Sequence, residues 1–99
     1  MTGAANPARG EARLLDWVLR PSFSALVAAE DELGPLFALV ERAADGKLKL
    51  AEMVALFWHC LSERTGLSRE EFAEAIAAAG LAAVTPALKT LLGQILAGR

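Results

Sequence analysis

The stretch from Leu50 to Arg64 constrains the fold more than any other part of this chain. As a helix, it has only a narrow polar edge, formed by Glu52, Ala55, His59 and Ser62-Glu63. The other positions that matter are apolar: Met53, Val54, Leu56, Phe57, Trp58, Cys60 and Leu61. A helix that is apolar around most of its circumference has to be covered by other elements. The sequence therefore predicts that this helix lies at the centre of the fold.

Two helices are predicted before the central one. Ser22 is suited to cap a helix that carries an apolar edge and ends at Gly34. The apolar edge comprises Phe23, Leu26, Val27 and Leu33. Pro35 suits the first position of the next helix, and Asp45-Gly46 makes a turn that closes it. The stripe of this second helix is Leu36, Leu39, Val40 and Ala43, and Leu48 and Leu50 after the turn are expected to pack inward.

The clearest local signal is the start of the fourth helix. Ser68-Arg69-Glu70-Glu71 is a capping box, and Leu67 and Phe72 stand where a hydrophobic staple requires them. The apolar face continues through Ile76 and Ala79 to Gly80. A last helix is predicted to begin at Thr85-Pro86, because a proline disfavours one continuous helix from Leu81. Its wide apolar stripe consists of Leu88, Leu91, Leu92, Ile95 and Leu96.

The segment from Glu11 to Pro21 has two interpretations. As strands, Ala12–Leu15 and Trp17–Arg20 form a tight hairpin around Asp16, which Pro21 ends. As a helix, apolar or amphipathic positions recur with a spacing of three and four residues. These positions are Glu11, Leu14, Leu15 and Val18. We favour the hairpin, and both interpretations stay open on the sequence alone.

These elements predict a mainly α protein. We expect a compact bundle of four to five short helices with a short N-terminal β-hairpin. Residues 1–10 are expected to form a flexible N-terminus and residues 11–99 a single helical domain, since 99 residues suffice for one modest core.

Composition argues against several classes of function. The 10 basic and 12 acidic residues give a formal charge of −2, which offers no electrostatic basis for nucleic-acid binding. No uncharged run is long enough to span a membrane, and the first ten residues lack the apolar run of a signal peptide. The single cysteine cannot form an internal disulfide and fits a reducing compartment. We therefore expect a cytoplasmic protein that binds neither nucleic acid nor membrane.

The residues that could carry chemistry have simpler structural explanations. His59 and Cys60 are neighbours, so on a helix they point about 100° apart and do not face one reactant. We expect His59 to be exposed or hydrogen-bonded and Cys60 to be a small buried apolar residue. The acidic cluster after Ser68 suits a helix N-terminus, whereas Glu30-Asp31-Glu32 forms either a solvated face or a contact with a basic partner. We predict no enzyme, no catalytic residues, no cofactor and no metal site.

A half-match to a calcium-binding loop runs from Glu41 to Glu52. Asp45, Gly46 and Glu52 occupy suitable positions in it, but Ala43 supplies no oxygen ligand. We favour a simple turn at Asp45-Gly46 and keep a degenerate calcium-binding or regulatory helical module as the weaker alternative.

The order of these signals also carries a resemblance to a known family. The segment 20–34, RPSFSALVAAEDELG, lies between NPARGE at 6–11 and LFALVER at 36–42. In pattern and order, the chain from about Asn6 to its C-terminus resembles the small tail proteins of the gene-transfer-agent family, which are grouped with the phage tail assembly chaperones. That family usually begins with a β-hairpin whose longer turn contains Asp-Gly, and this chain lacks that glycine.

The resemblance implies a function in phage-tail or gene-transfer-agent tail morphogenesis. The role that it favours is a tail assembly chaperone that binds the tape-measure protein, keeps this long polypeptide soluble and helps to recruit the tail tube protein. A structural component of the tail tube is the main alternative. The candidate partner-binding residues are Trp17, Phe23, Leu88, Leu91, Leu92, Ile95 and Leu96. The sequence does not determine the oligomeric state.

Overall fold

The computed structural model describes residues 11–97, which fold into two short strands followed by five helices. The strands are β1 (Ala12–Leu14) and β2 (Trp17–Leu19). The helices are α1 (Phe23–Leu33), α2 (Leu36–Ala44), α3 (Leu50–Cys60), α4 (Arg69–Ala79) and α5 (Leu81–Ala97). The predicted mainly α fold with an N-terminal hairpin is confirmed. The flexible N-terminus predicted for residues 1–10 lies outside the described residues, and the single domain predicted for residues 11–99 stays a prediction.

The hairpin is a regular antiparallel pair in which Ala12 faces Leu19 and Leu14 faces Trp17. Its two-residue turn places Leu15 at a φ of 54°, in the left-handed region that favours glycine. The Arg13 Nε donates a hydrogen bond to the Leu15 carbonyl at 2.9 Å. Leu15 also packs against the core, so side-chain burial offsets the strained backbone. The helical interpretation of this segment is wrong.

Helix α3 is the central helix, as predicted, and most of its side chains are buried. The polar edge is narrower than expected, because Ala55 is fully buried. The helix also ends at Cys60, four residues before the predicted Arg64. The chain leaves the helix there because it pairs with the hairpin: Ser62 N–H donates to the Val18 carbonyl at 3.0 Å and Arg20 N–H to the Cys60 carbonyl at 2.6 Å.

The helix caps confirm the local signals. The Ser22 Oγ accepts a hydrogen bond from the Ala25 N–H at 3.2 Å and caps α1. The capping box of α4 is complete, since Glu71 N–H donates to the Ser68 Oγ and Ser68 N–H donates to the Glu71 carboxylate. Gly34 and Gly80 end α1 and α4 with positive φ angles. Pro35 caps α2 instead of starting it, so that prediction is off by one residue.

Two predictions need correction: where the last helix begins, and whether Leu50 packs inward. Helix α5 runs through Pro86 without a break, so the last helix does not begin at Thr85-Pro86. Proline cannot donate to the Ala82 carbonyl, but Ala82 and Pro86 are both exposed, so water can reach that group. Of the two residues expected to pack inward after the Asp45-Gly46 turn, Leu48 reaches the core and Leu50 stays half exposed.

The core lies where α3, α4 and α5 meet the hairpin. Phe72 of α4 is fully buried, and Trp17 and Trp58 pack against its ring with centroid distances of 4.9 and 5.8 Å. The largest fully buried side chains are Phe57, Phe72, Leu14, Leu19, Leu39, Leu56, Ile76 and Leu91. The hairpin is thus part of the core, since two of its leucines belong to this group.

Candidate protein-interaction surface

An apolar groove lies between α1, α2 and the C-terminal end of α5. It encloses about 220 Å³. Its apolar lining comprises Leu26, Leu36, Phe37, Val40, Ile95 and Leu96, and Glu30 lies at its edge. We call these residues the α1–α2–α5 groove. Three helices form it, so its shape is set by how the helices pack and not by a loop.

Large apolar side chains are exposed in this groove and at the start of α1, one of the three helices that form it. Phe37 is 81% exposed and Leu96 60% exposed, and both line it. Phe23 is 85% exposed and lies one turn before Leu26 and Val27 on α1. Phe37 and Leu96 together leave apolar area in water at one groove, and grouped apolar exposure of this kind marks an interaction surface.

Glu30 fixes the corner between the two helices that form most of the groove. Its Oε2 accepts a hydrogen bond from the Leu36 N–H, the first N–H of α2, at 3.1 Å. This N–H has no partner within its own helix, and a carboxylate near a helix N-terminus is favoured by the helix dipole. Part of the acidic cluster Glu30-Asp31-Glu32 therefore has a structural role that was not foreseen.

The structure places the predicted partner-binding residues in different environments. Ile95 and Leu96 line the groove, and Phe23 is exposed at the first position of α1. Leu88 and Leu92 are partly buried and pack against the core, and Trp17 packs on Phe72. Leu91 is fully buried, so it does not contribute to a surface of the folded chain.

Phe37 is not among the contact residues predicted from the sequence. Leu36, Leu39, Val40 and Ala43 were recognised as the inward stripe of α2, and Phe37 falls outside that stripe. A large aromatic residue that is out of phase with the buried face of its helix has no core to fill. That mismatch is the signal in the sequence that points to Phe37.

A cluster of charged groups joins α1, α3 and α4 on another part of the surface. The Glu32 Oε1 accepts a hydrogen bond from the Arg69 Nη1 at 2.9 Å and lies 2.8 Å from the His59 Nε2. The Arg69 hydrogen bonds, followed by the His59 contact, lower the pKa of Glu32 from 4.5 to about 2. His59 is hydrogen-bonded, as expected, and its partner is Glu32 of another helix. The absence of enzymatic activity stays a prediction.

Glu52, the last carboxylate of the half-matched calcium loop, is hydrogen-bonded within the protein. The Glu52 Oε1 accepts hydrogen bonds from the Arg42 Nη1 at 2.6 Å and from the Lys49 N–H at 3.0 Å. These contacts, the Arg42 hydrogen bond first, lower the pKa of Glu52. Within residues 11–97, no three His, Cys, Asp or Glu side chains are grouped as metal ligands would be. The Asp45-Gly46 segment acts as the turn between α2 and α3.

Taken singly, none of the helices in the described part of the chain is long and apolar enough to cross a bilayer. The pair α4 and α5 passes the same test together, but it is bent by 114° between the two helices.

A family model described as "Phage tail tube protein, GTA-gp10" matches residues 12–98, which is nearly the whole chain. No curated protein and no solved structure matches this chain.

Proposed function

The chain belongs to the GTA-gp10 family of phage tail tube proteins, and from this premise we propose that it is a tail assembly chaperone that binds the tape-measure protein. Membership of the family gives it a function in the tail of a phage or gene transfer agent and partners among other tail proteins. The chaperone role and the tape-measure partner are the finer proposal. On this proposal the chain acts in the cytoplasm, where tails are assembled.

The observation that carries the proposal is the exposure of Phe37 and Leu96 along the α1–α2–α5 groove. A chaperone of a long, aggregation-prone polypeptide needs an apolar surface that is already open, because it must bind before the client can associate with itself. A groove between helices is the shape into which an amphipathic helix lays its apolar face.

Charge around the groove favours a particular kind of helix. Glu30 lies at the groove edge, and Glu41 lies one turn after Phe37 on α2. Both side chains are exposed and acidic. We infer that the bound segment is an amphipathic helix of the tape-measure protein with lysine or arginine beside its apolar stripe, since opposite charges at the rim of an interface favour association.

Co-expression with the tape-measure protein of the same phage or gene transfer agent tests the proposal. We expect the two to co-purify and the soluble fraction of the tape-measure protein to rise. Phe37→Ser and Leu96→Ser should each reduce both effects. Leu81→Ser is the matched control, because Leu81 is 56% exposed on the same helix but does not line the groove. A tape-measure protein that stays equally insoluble with and without this chain would refute the chaperone role.

A structural component of the tail tube is the second candidate, and the description of the family favours it. A tube subunit stays in the finished particle, whereas a chaperone leaves before assembly ends. Mass spectrometry of purified particles separates the two: we expect this chain to be absent, and its presence in amounts comparable with other tail proteins would support the structural role instead.

A further inference from the structure

A second cavity, of about 470 Å³, opens on the other side of α1 from the apolar groove. It lies between the end of β2, the start of α1 and the segment that follows α3. The polar groups that line it are Arg20, Ser22, Ser24, His59, Ser62 and Arg64, and three small or apolar side chains form the rest. We call it the two-arginine pocket. Its chemistry is unlike that of the groove, so the two faces of α1 suit different ligands.

The two arginines of this pocket have no acidic partner among residues 11–97. The four ion pairs of the described chain involve Arg13, Arg42, His59 and Arg69. Arg64 instead lies over the ring of Trp58, at 5.2 Å from its centroid, and Arg20 is exposed. No aspartate or glutamate lines the cavity. Glu32 contacts the lining residue His59 but is paired with Arg69, so in a chain with a net charge of −2 the two unpaired guanidinium groups are a local excess of positive charge at this cavity.

The start of α1 adds to this excess. Helix α1 begins beside the pocket and has no acidic residue in its first turn, so the positive end of its dipole is not neutralised. Serine hydroxyls at positions 22, 24 and 62 can donate hydrogen bonds to an oxyanion. Arginine, serine and a helix N-terminus together are the groups that proteins use to hold carboxylates and phosphates.

We propose that the two-arginine pocket binds a carboxylate-bearing segment of a partner polypeptide. A pocket of about 470 Å³ is far larger than one oxyanion needs, and its apolar walls suit the aliphatic stems of glutamate side chains. The site goes beyond the proposed chaperone function, because it lies on the opposite face of α1 from the α1–α2–α5 groove. Both sites can be filled at once, so the chain can hold a basic amphipathic helix on one face and an acidic segment on the other.

A titration of the isotope-labelled protein with a short peptide tests this site. The probe is an acetylated and amidated peptide of alternating glutamate and alanine, and the readout is the amide spectrum. We expect resonances at the pocket, such as those of Ser24, Ala25 and Ser62, to shift. In the double variant Arg20→Gln/Arg64→Gln, we expect binding about tenfold weaker, which corresponds to the loss of two charge-assisted hydrogen bonds at a partly exposed site.

Matched controls distinguish the pocket from general charge effects. The double variant Lys47→Gln/Lys89→Gln removes two positive charges elsewhere and should leave the peptide affinity unchanged. A peptide with glutamine in place of glutamate should produce no shifts. Equal weakening in both double variants, or no pocket shifts at millimolar peptide, would overturn the proposal.

Titration with inorganic phosphate tests whether the pocket binds a free oxyanion instead of a carboxylate of a polypeptide. Weak or absent shifts with phosphate are expected, because phosphate cannot use the apolar walls. Saturation of the same resonances by phosphate at lower concentration than by the peptide would overturn the assignment to a polypeptide. Tape-measure binding by the Arg20→Gln/Arg64→Gln variant should remain intact. A failed co-purification of the unaltered chain would count against the chaperone role without affecting this site.

Discussion

Arg69, the first residue of α4, donates hydrogen bonds from both terminal nitrogens to the carboxylate of Glu32, near the end of α1. His59 of α3 contacts the same carboxylate. One acidic side chain thus connects three helices that are far apart in sequence. The contacts stabilise its charged form, which is why the pKa of Glu32 falls to about 2.

The depressed pKa of Glu32 predicts that stability depends on pH in the acid range. Its contribution is fully present above the ordinary value of 4.5 and is lost as the pH falls toward 2. Glu32→Gln should lower the free energy of unfolding at pH 7. The side chain is 39% exposed and solvent screens the contact, so we expect a loss of about 1 kcal/mol. Urea unfolding followed by circular dichroism at pH 7, 4 and 2.5 should show this difference shrinking as the pH falls.

Asp31→Asn provides the control for that measurement, since Asp31 is adjacent and exposed but makes no ion pair within the described chain. We expect it to change stability little. A difference for Glu32→Gln that stayed constant from pH 7 to 2.5 would contradict the assigned role of the charge.

The capping box of α4 predicts a measurable cost for a single hydroxyl. Ser68→Ala removes the acceptor of the Glu71 N–H and leaves that group without its partner. Loss of an N-cap costs about 1 kcal/mol. Chemical unfolding at pH 7 should report this loss, and Ser62→Ala, at an exposed serine with no side-chain hydrogen bond in the described chain, should show little change. Equal stability of the two variants would argue against the cap.

Signals that act within one turn of helix were predictable from the sequence. The Ser68 cap and the Ser22 cap join residues three positions apart, so the chain carries their evidence locally. The end of α3 was not predictable, because it depends on the pairing of Leu61 with Leu19 across the fold. The partner of Glu32 was missed for the same reason. For the candidate contacts on α5, the periodicity of the sequence predicts the apolar face of the helix. It does not predict which residues of that face are buried in the core and which are exposed.

Helix α5 predicts opposite outcomes for two of its leucines. Leu91 is fully buried and Leu96 is 60% exposed at the groove. Leu91→Ala should lower the free energy of unfolding by about 3 kcal/mol, as expected for a cavity in a packed core. Leu96→Ala should change it by less than about 0.5 kcal/mol, as expected at an exposed surface site. Thermal and urea unfolding check both values, and a large loss for Leu96→Ala would show that its exposed surface is not free.

Pro86 predicts that a substitution can stabilise this protein. The residue lies inside α5 and cannot donate the hydrogen bond that another residue would give to the Ala82 carbonyl. Pro86→Ala supplies this donor and introduces the residue with the highest helix propensity. The unfolded chain also gains conformational freedom, which offsets part of the stabilisation. We expect a gain of about 1 to 2 kcal/mol in the free energy of unfolding. Pro35→Ala is the control: Pro35 lies at the N-cap of α2, so its replacement adds no hydrogen bond inside a helix and should be neutral or slightly destabilising. A similar gain in stability for Pro35→Ala would show that the missing hydrogen bond at Pro86 is not the cause.

Cys60 predicts how the thiol reacts in the folded and unfolded protein. It is almost fully buried at the end of α3, and burial raises the pKa of its thiol to about 12. The thiolate is the reactive form, so the native protein should react with a disulfide reagent such as dithionitrobenzoate at pH 8 far more slowly than the urea-unfolded chain. Because reaction then requires opening of the structure, the slowing measures the free energy of that opening. Destabilising variants such as Leu91→Ala should speed the reaction in proportion to their loss of stability if opening is global. A native thiol that reacts as fast as the unfolded one would contradict its burial beside the hairpin.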